Sequence, residues 1–175
     1  PDLSAVGGAG GLWLLDPANI RIVAGNEPIN IITTPGDPTL FDAGAAPPDS
    51  LLGVELIKNT LAGGADVEIR TAGDTPGDGN ITLETPLDYH QTGDSSLSLI
   101  ADGEIQLLAD IFDSASTVTN PDPVTGPTAP VLDSFDNLDL TLEAIDQVNV
   151  TGSINSGNGD IDIISFKGDI NIGNT

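Results

Sequence analysis

Pairs of branched apolar residues, the two members separated by a single residue, recur ten times along this chain of 175 residues. The pairs are Ile20/Ile22, Ile29/Ile31, Val67/Ile69, Ile81/Leu83, Leu97/Leu99, Ile105/Leu107, Leu138/Leu140, Val148/Val150, Ile161/Ile163 and Ile170/Ile172. Residues two apart lie on the same face of a β-strand. Polar residues such as Asp139 and Asp162 alternate with them, so each pair predicts a strand with one buried side and one side in water.

The spacing of the pairs predicts how these strands are arranged. Pairs separated by one intervening pair begin 22 residues apart (148 to 170), 23 apart (138 to 161) or 24 apart (81 to 105). Such intervals are typical of stacked repeats, in which each repeat buries its apolar row against the next one. The sequence therefore predicts an all-β fold, a parallel β-helix or solenoid. An antiparallel sandwich is the alternative, because Asp78-Gly79, Asp102-Gly103 and Asn158-Gly159 are suited to hairpin turns.

The chain is interpreted as a single domain, residues 1–175, that belongs to a longer chain or an assembly. Residues 1–11 are glycine-rich and predict a flexible leader. Segments 33–50 and 113–137 carry four prolines each. Since proline cannot donate to a strand ladder, both segments are predicted to be insertions that leave the repeat. The same apolar pairs resume after each insertion, so no domain boundary is predicted.

Charge excludes two classes of partner. The chain has 27 acidic and 4 basic residues, a net charge of −23. So few cations cannot neutralise a nucleic-acid backbone, and anionic lipid would repel the chain. The longest uncharged stretch, residues 3–15, is shorter than the roughly 20 residues of a spanning helix. We therefore expect neither nucleic-acid binding nor direct membrane insertion.

Acidic pairs on the predicted outer faces raise the question of a metal site or of catalysis. Asp160 and Asp162 share one such face, and Asp139 and Glu143 share another. Hard oxygen ligands suit calcium, but no EF-hand loop or regular calcium nonapeptide occurs. The interpretation is a solvated acidic row with no metal ligands and no cofactor, and calcium stays open as an alternative. Polysaccharide cleavage by paired carboxylates is the enzyme hypothesis, with the four cations scattered at Arg21, Lys58, Arg70 and Lys167.

Other residues give little indication of chemistry. His90 is the only histidine, and the chain has no cysteine, so His90 is interpreted as an exposed loop residue without partners for a metal or nucleophile site. Asn80-Ile81-Thr82 and Asn149-Val150-Thr151 match the glycosylation pattern, as chance matches do in a chain rich in Asn and Thr. No catalytic, cofactor-binding or metal residue is predicted. Trp13 has two interpretations, a cap over the first apolar row or an ordinary core residue.

One segment resembles a known family. Residues 11–22, which include Trp13-Leu14-Leu15-Asp16-Pro17, are similar to a recurring segment of filamentous-haemagglutinin-like exoproteins of two-partner secretion. Shorter likenesses follow at 67–71, 79–83, 96–105 and 109–111. The resemblance implies a right-handed parallel β-helix, placement outside the cell or on its surface, and an adhesive or scaffolding role. The Asn-Pro-Asn-Gly-Ile type of signature of the family's secretion domain is absent, which implies that this piece comes from the shaft.

Three functions follow as hypotheses. The favoured one is a non-catalytic, secreted structural or adhesive segment of a surface exoprotein, whose partner is a surface glycan or protein. The second is a subunit of an extracellular filament that self-associates by strand pairing between end strands. The third is a β-helix enzyme that degrades polysaccharides.

Overall fold

Two large sheets form the frame of this protein. The computed structural model describes residues 19–44, 50–71, 79–90, 93–114, 117–118, 131–132 and 136–173. The predicted leader 1–11, Trp13 and residues 119–130 of the second predicted insertion lie outside these ranges. The first strands are β1 (Ile20–Val23), β2 (Ile31–Thr34), β3 (Thr39–Ala43) and β4 (Ser50–Gly53), followed by helix α1 (Val54–Ala62). The remaining strands are β5 (Val67–Arg70), β6 (Ile81–Leu83), β7 (Leu87–Asp88), β8 (Ser95–Ala101), β9 (Ile105–Leu107), β10 (Ile111–Phe112), β11 (Thr117–Val118), β12 (Val131–Leu132), β13 (Leu138–Ala144), β14 (Val148–Val150), β15 (Ile161–Ser165) and β16 (Ile170–Ile172).

The chain passes repeatedly from one large sheet to the other. One six-stranded sheet has the order β16-β14-β9-β6-β1-β4, and the other has the order β15-β13-β8-β5-β3-β2. All neighbours in these sheets are parallel except the β2–β3 pair. Two further pairs, the parallel β7–β10 and the antiparallel β11–β12, complete the described sheets. The antiparallel sandwich is therefore not the arrangement of the large sheets.

Register places like side chains on top of one another across neighbouring strands. In one sheet Ile20 pairs with Ile81, Ile81 with Ile105, and Ile105 with Val148. In the other, Ile69 pairs with Leu99, and Leu99 with Leu142. These residues are at most 1% exposed. A one-residue slip would turn every one of them toward water, so the apolar pairs in the sequence determine the register.

The predicted fold class, an all-β parallel right-handed β-helix or solenoid, is wrong. The structure is mixed α/β, because α1 forms between β4 and β5. Its strands form two large, mostly parallel sheets and two small pairs rather than one closed solenoid, and β2 runs antiparallel to β3. The period-2 pattern predicts strands correctly, but it contains no information on how the sheets close.

Helix α1 uses a pattern that the sequence analysis missed. Val54, Ile57 and Leu61 are buried and spaced three and four residues apart, which places them on one helix face. Helix α1 contacts β4, β5 and β7. No helix in the described part of the chain has the length and apolar character needed to traverse a bilayer.

Residues 39–43 of segment 33–50, the first predicted insertion, form a strand of one large sheet. This strand, β3, pairs in parallel with β5, with Phe41 opposite Ile69. Phe41 is 1% exposed, so it belongs to the core. The described prolines Pro35 and Pro38 lie outside β3, so their missing N–H groups do not interrupt it.

Acidic and amide side chains link successive strands at the corners. The Oδ1 atom of Asp66 accepts a hydrogen bond from the N–H of Ser96 at 2.9 Å, and the N–H of Asp66 donates to Asp37 at 3.0 Å. The same use of an Oδ1 acceptor recurs at Asn19, Asn80, Asp88, Asp110, Asn137 and Asp139. Several aspartates and asparagines therefore satisfy backbone donors that the corners leave open.

Candidate functional site

His90, Asp113 and Asp136 form a cluster at the base of the second predicted insertion, and we call it the His90 cluster. His90 follows β7, and Asp113 follows β10, the strand that pairs with β7. Asp136 lies two residues before β13. One donor atom from each of the three side chains lies within 4.8 Å of the others. The parallel β7–β10 pair brings His90 and Asp113 together although they are 23 residues apart.

Hydrogen bonds hold the His90 cluster. The Nδ1 atom of His90 lies 2.8 Å from Oδ1 of Asp113, whose side chain is 1% exposed. The other carboxylate oxygen of Asp113 accepts the N–H of Asp136 at 3.0 Å. The His90 side chain is 13% exposed, and its buried Nε2 atom has no hydrogen-bond partner. A buried polar atom without a partner is costly in a folded protein.

The pKa of Tyr89, the neighbour of His90, reflects the negative charge of this region. Burial, together with the smaller effects of the charges of Asp113, Asp136 and Asp88, raises the pKa of Tyr89 to about 12. The Tyr89 hydroxyl donates to the carbonyl of Asn155 at 2.7 Å. Burial of Asp88 opposes its ionisation, but hydrogen bonds from Ser114 and His90 outweigh this effect and lower its pKa.

The sequence interpretation of His90 as an exposed loop residue without partners differs from the structure. His90 is mostly buried, and Asp113 and Asp136 complete a set of potential metal ligands that no spacing in the sequence reveals. Both aspartates belong to segment 113–137, which proline content alone marked as an insertion. Asp113 and Asp136, near the two ends of this segment, meet at His90 because β10 pairs with β7 and because the chain returns beside them before β13.

The predicted acidic rows and the four cations lie outside the His90 cluster. Asp139, Asp160 and Asp162 are exposed, and Oδ1 of Asp139 accepts the N–H of Asp160. Between residues that the structure describes, three of the four cations form ion pairs: Arg21 with Glu84, Lys58 with Glu55, and Arg70 with Asp42 and Glu68. The glycosylation-pattern residues Asn80 and Asn149 use their side-chain oxygens as hydrogen-bond acceptors.

An acidic groove of about 470 Å³ follows one corner of the structure. Its lining includes Asp66, Asp94 and Asp139, together with Asn137 and Asn158. The three carboxylates accept hydrogen bonds from Ser96, Asn137 and Asp160 respectively. Their side chains therefore take part in holding the corner together.

A second surface feature is the apolar end formed by β15 and β16, which we call the open end. These two strands are the outer strands of the two large sheets at one end, opposite to β4 and β2. Ile161, Ile170 and Ile172 continue the buried apolar rows, yet they are 42%, 44% and 69% exposed. Beside them an apolar cavity of about 460 Å³ is lined by residues that include Val150, Ile154 and Ile163.

Comparison with known proteins adds no relative to this picture. No family model matches the chain, and no curated protein or solved structure matches it either. The family resemblance of residues 11–22 therefore stays a prediction, and the function has to be argued from the residues themselves.

Proposed function

We propose that this chain is a non-catalytic structural segment of an extracellular surface protein, and that it associates with a second copy of itself through the open end. The single observation that carries this proposal is the exposure of Ile161, Ile170 and Ile172 in rows whose other members are buried. Exposed edge strands with branched apolar residues are templates for further strand pairing.

A second copy is the occupant that fits best, because the open end can complement itself. A two-fold axis would place β16 of one copy beside β16 of the other in antiparallel pairing, and each copy would cover the other's apolar cavity. Contacts of this type are isologous and close at the dimer.

The opposite end of the sheets is less suited to such pairing. There the outer edge of β4 is bonded to Ile29, through Ile29 N to Leu51 O at 2.8 Å and Leu51 N to Ile29 O at 2.9 Å. Pro28 and Pro35 flank β2, the outer strand of the other sheet. Proline at an edge discourages further pairing. This difference favours a closed dimer over an open filament.

Charge would make the association salt-dependent. Asp160, Asp162 and Asp169 lie near the open end, with Lys167 as the basic residue among them. Two copies that face each other bring like charges together, and salt screens that repulsion. We therefore expect the dimer to tighten as ionic strength rises.

Sedimentation equilibrium of the purified chain at 50 mM and 500 mM NaCl tests the proposal. The expected result is a monomer–dimer equilibrium that shifts toward dimer in high salt, with Ile172→Lys at least tenfold weaker in dimerisation. Leu108→Lys is the matched control, since Leu108 is 53% exposed but lies outside the open end. A strictly monomeric chain, or equal effects of the two variants, would overturn the proposal. Filaments would overturn the two-fold geometry.

The proposal that the chain is non-catalytic rests on the hydrogen bonds that the carboxylates of the acidic groove accept. Its carboxylates are engaged with backbone N–H groups and an amide, whereas a hydrolase needs one carboxyl group positioned to give up a proton. Incubation with acidic and neutral polysaccharides should release no reducing sugar above the background of an Asp66→Asn, Asp139→Asn double variant. Release that this variant abolishes would contradict the proposal.

We also propose segment 113–137 as the adhesive surface of the chain, since binding loops are carried on rigid frames. Replacement of residues 115–135 by a short Gly-Ser linker is expected to abolish binding to a glycan array or to immobilised surface proteins. Retention of all binding in this variant would assign adhesion to another surface.

A further inference from the structure

We propose that Asn171 lies on the two-fold axis of the dimer and sets the register in which the two β16 strands pair. Ile170 of one copy then lies opposite Ile172 of the second copy, and Asn171 lies opposite Asn171 of the second copy. This inference rests on the proposed dimerisation through the open end, and it adds the residue that makes the contact specific.

The backbone of β16 presents its free donors and acceptors at the two isoleucines. The N–H of Gly173 donates to the carbonyl of Val150 on β14 at 3.1 Å, so the backbone groups of Gly173 face β14. Backbone groups of successive residues in a strand point to opposite edges. The N–H and C=O groups of Ile170 and Ile172 therefore point to the free edge of the sheet.

Antiparallel pairing about Asn171 uses all of these edge groups. Ile170 of one copy and Ile172 of the second copy exchange both of their N–H···O=C bonds, and the same pair recurs on the other side of the axis. The two Asn171 residues form the non-hydrogen-bonded pair between them, with Cα atoms about 4.5 Å apart. Backbone pairing therefore brings the two Asn171 side chains into direct contact.

Side chains disfavour the neighbouring registers. A slip of one residue places an isoleucine opposite Asn171, so the apolar face of one copy continues as the polar face of the other. An axis at Ile170 places Ile172 opposite Gly168, and an axis at Ile172 places Asn171 opposite Gly173. Of these arrangements, only the axis at Asn171 gives both isoleucines, which are 44% and 69% exposed, an apolar residue as partner.

The amide of Asn171 is suited to recognise a second amide. Its Nδ2 atom donates to Oδ1 of Asn149 on β14 at 2.9 Å, and the two residues lie opposite each other in register. A carboxamide has two N–H donors, so the second donor of each Asn171 can bind the amide oxygen of the other. Rows of paired amides stabilise stacked strands, and a polar pair within an apolar contact specifies register.

Charge is compatible with the same register. Asp169 is exposed, and it lies opposite Gly173 of the second copy, which has no side chain. An axis at Asp169 would instead place two carboxylates opposite each other, and like charges in that position are destabilising. The axis at Asn171 therefore keeps the two Asp169 side chains apart.

Cysteine cross-linking tests the register, because the chain has no cysteine of its own. In 500 mM NaCl under air oxidation, Asn171→Cys should form a disulfide-linked dimer, since Cα atoms about 4.5 Å apart are within disulfide range. Ile170→Cys alone and Ile172→Cys alone should cross-link at least tenfold more slowly. An equimolar mixture of these two variants should form the mixed disulfide, which mass spectrometry identifies. Asn26→Cys, at an exposed position in the turn after β1, is the control for random collision.

Asn171→Asp tests the role of the amide. At pH 7 it places two carboxylates opposite each other at the axis, so it should weaken dimerisation at least tenfold. Asn26→Asp, the same change far from β16 in sequence and on an exposed turn, should leave dimerisation unchanged. Circular dichroism establishes that each variant folds, and sedimentation under reducing conditions measures its dimerisation.

The outcomes distinguish failure of the register from failure of the dimer. A chain that stays monomeric and cross-links in no variant would overturn the dimer and the register together. A dimer in which Ile170→Cys or Ile172→Cys cross-links to itself faster than Asn171→Cys would overturn the register alone. Equal dimerisation of folded Asn171→Asp and Asn26→Asp would overturn the role of the Asn171 amide.

Discussion

The guanidinium of Arg21 and the carboxylate of Glu84 form two parallel hydrogen bonds across 63 residues of sequence, from Nε to Oε1 at 2.6 Å and from Nη2 to Oε2 at 2.8 Å. Arg21 lies on β1, and Glu84 directly follows β6, the neighbouring strand. The hydrogen bond from Arg21 holds the pKa of Glu84 below its ordinary value of 4.5. The stability that the pair gives to the β1–β6 contact therefore depends on pH.

Glu84→Gln is expected to lower the free energy of unfolding at pH 7 by about 0.2–1 kcal/mol, because the pair is partly exposed. Glu84 has its lowered pKa only in the folded protein, so its contribution is present above pH 4.5 and is lost as the pH falls through the folded-state pKa. Urea unfolding of both proteins between pH 7 and pH 3 should show the difference shrinking toward zero. Glu27→Gln, at an exposed position without the Arg21 contact, is the control. A difference that grows toward acid pH would contradict this account.

Asp66→Ala is expected to destabilise the fold by about 1.5–3 kcal/mol, since the N–H of Ser96 loses a charged acceptor. Asp66→Asn keeps an Oδ1 acceptor at the same place, so it should cost clearly less. Thermal and urea unfolding of the two variants measure the comparison. Equal losses would mean that the charge of Asp66, and not its hydrogen bond, supports the corner.

Ile105→Ala is expected to cost about 2–5 kcal/mol, because Ile105 is fully buried within its row. Ile170→Ala, in the same row but 44% exposed at the open end, should cost less than half as much in dilute solution. Denaturant unfolding at low protein concentration measures both values. Similar losses would show that the end of the row is as well packed as its middle.

Gly152→Ala is expected to lower the free energy of unfolding by about 1 kcal/mol or more, because the added methyl group overpacks the site. A Cβ atom at Gly152 would overlap the carbonyl of Ala109, and a backbone neighbour cannot rotate away. Gly173→Ala is the control, because an added Cβ there meets nothing within 4 Å. Differential scanning calorimetry should show a lower Tm for the first variant and an unchanged Tm for the second. Equal Tm values would contradict the close approach at Gly152.

Sequence patterns were most informative where the burial of alternate residues dominates the structure. The pairs Ile81/Leu83, Ile105/Leu107 and Val148/Val150 all lie on strands and are buried as predicted, because alternate burial imposes a period of two. Ile29, in contrast, lies at an isolated antiparallel bridge and is 49% exposed. The helix at Val54–Ala62 was missed because its three buried residues form too short a pattern to stand out among strand-like pairs.

The His90 cluster was beyond sequence reasoning for a different reason. His90, Asp113 and Asp136 are 23 residues apart at each step, and no local motif marks them. They meet only because β7 pairs with β10 and because the chain returns beside them before β13.

By itself, the sequence determined most of the strands that carry the apolar pairs and the faces that they bury, because these properties follow from local alternation. Its net charge of −23 predicts that polyanions are not partners, and this stays a prediction. Tertiary structure alone decided the antiparallel β2, the open end and the His90 cluster. Each of these depends on free energies of contact between residues far apart in the chain, and such contacts leave no periodic trace in the order of the amino acids.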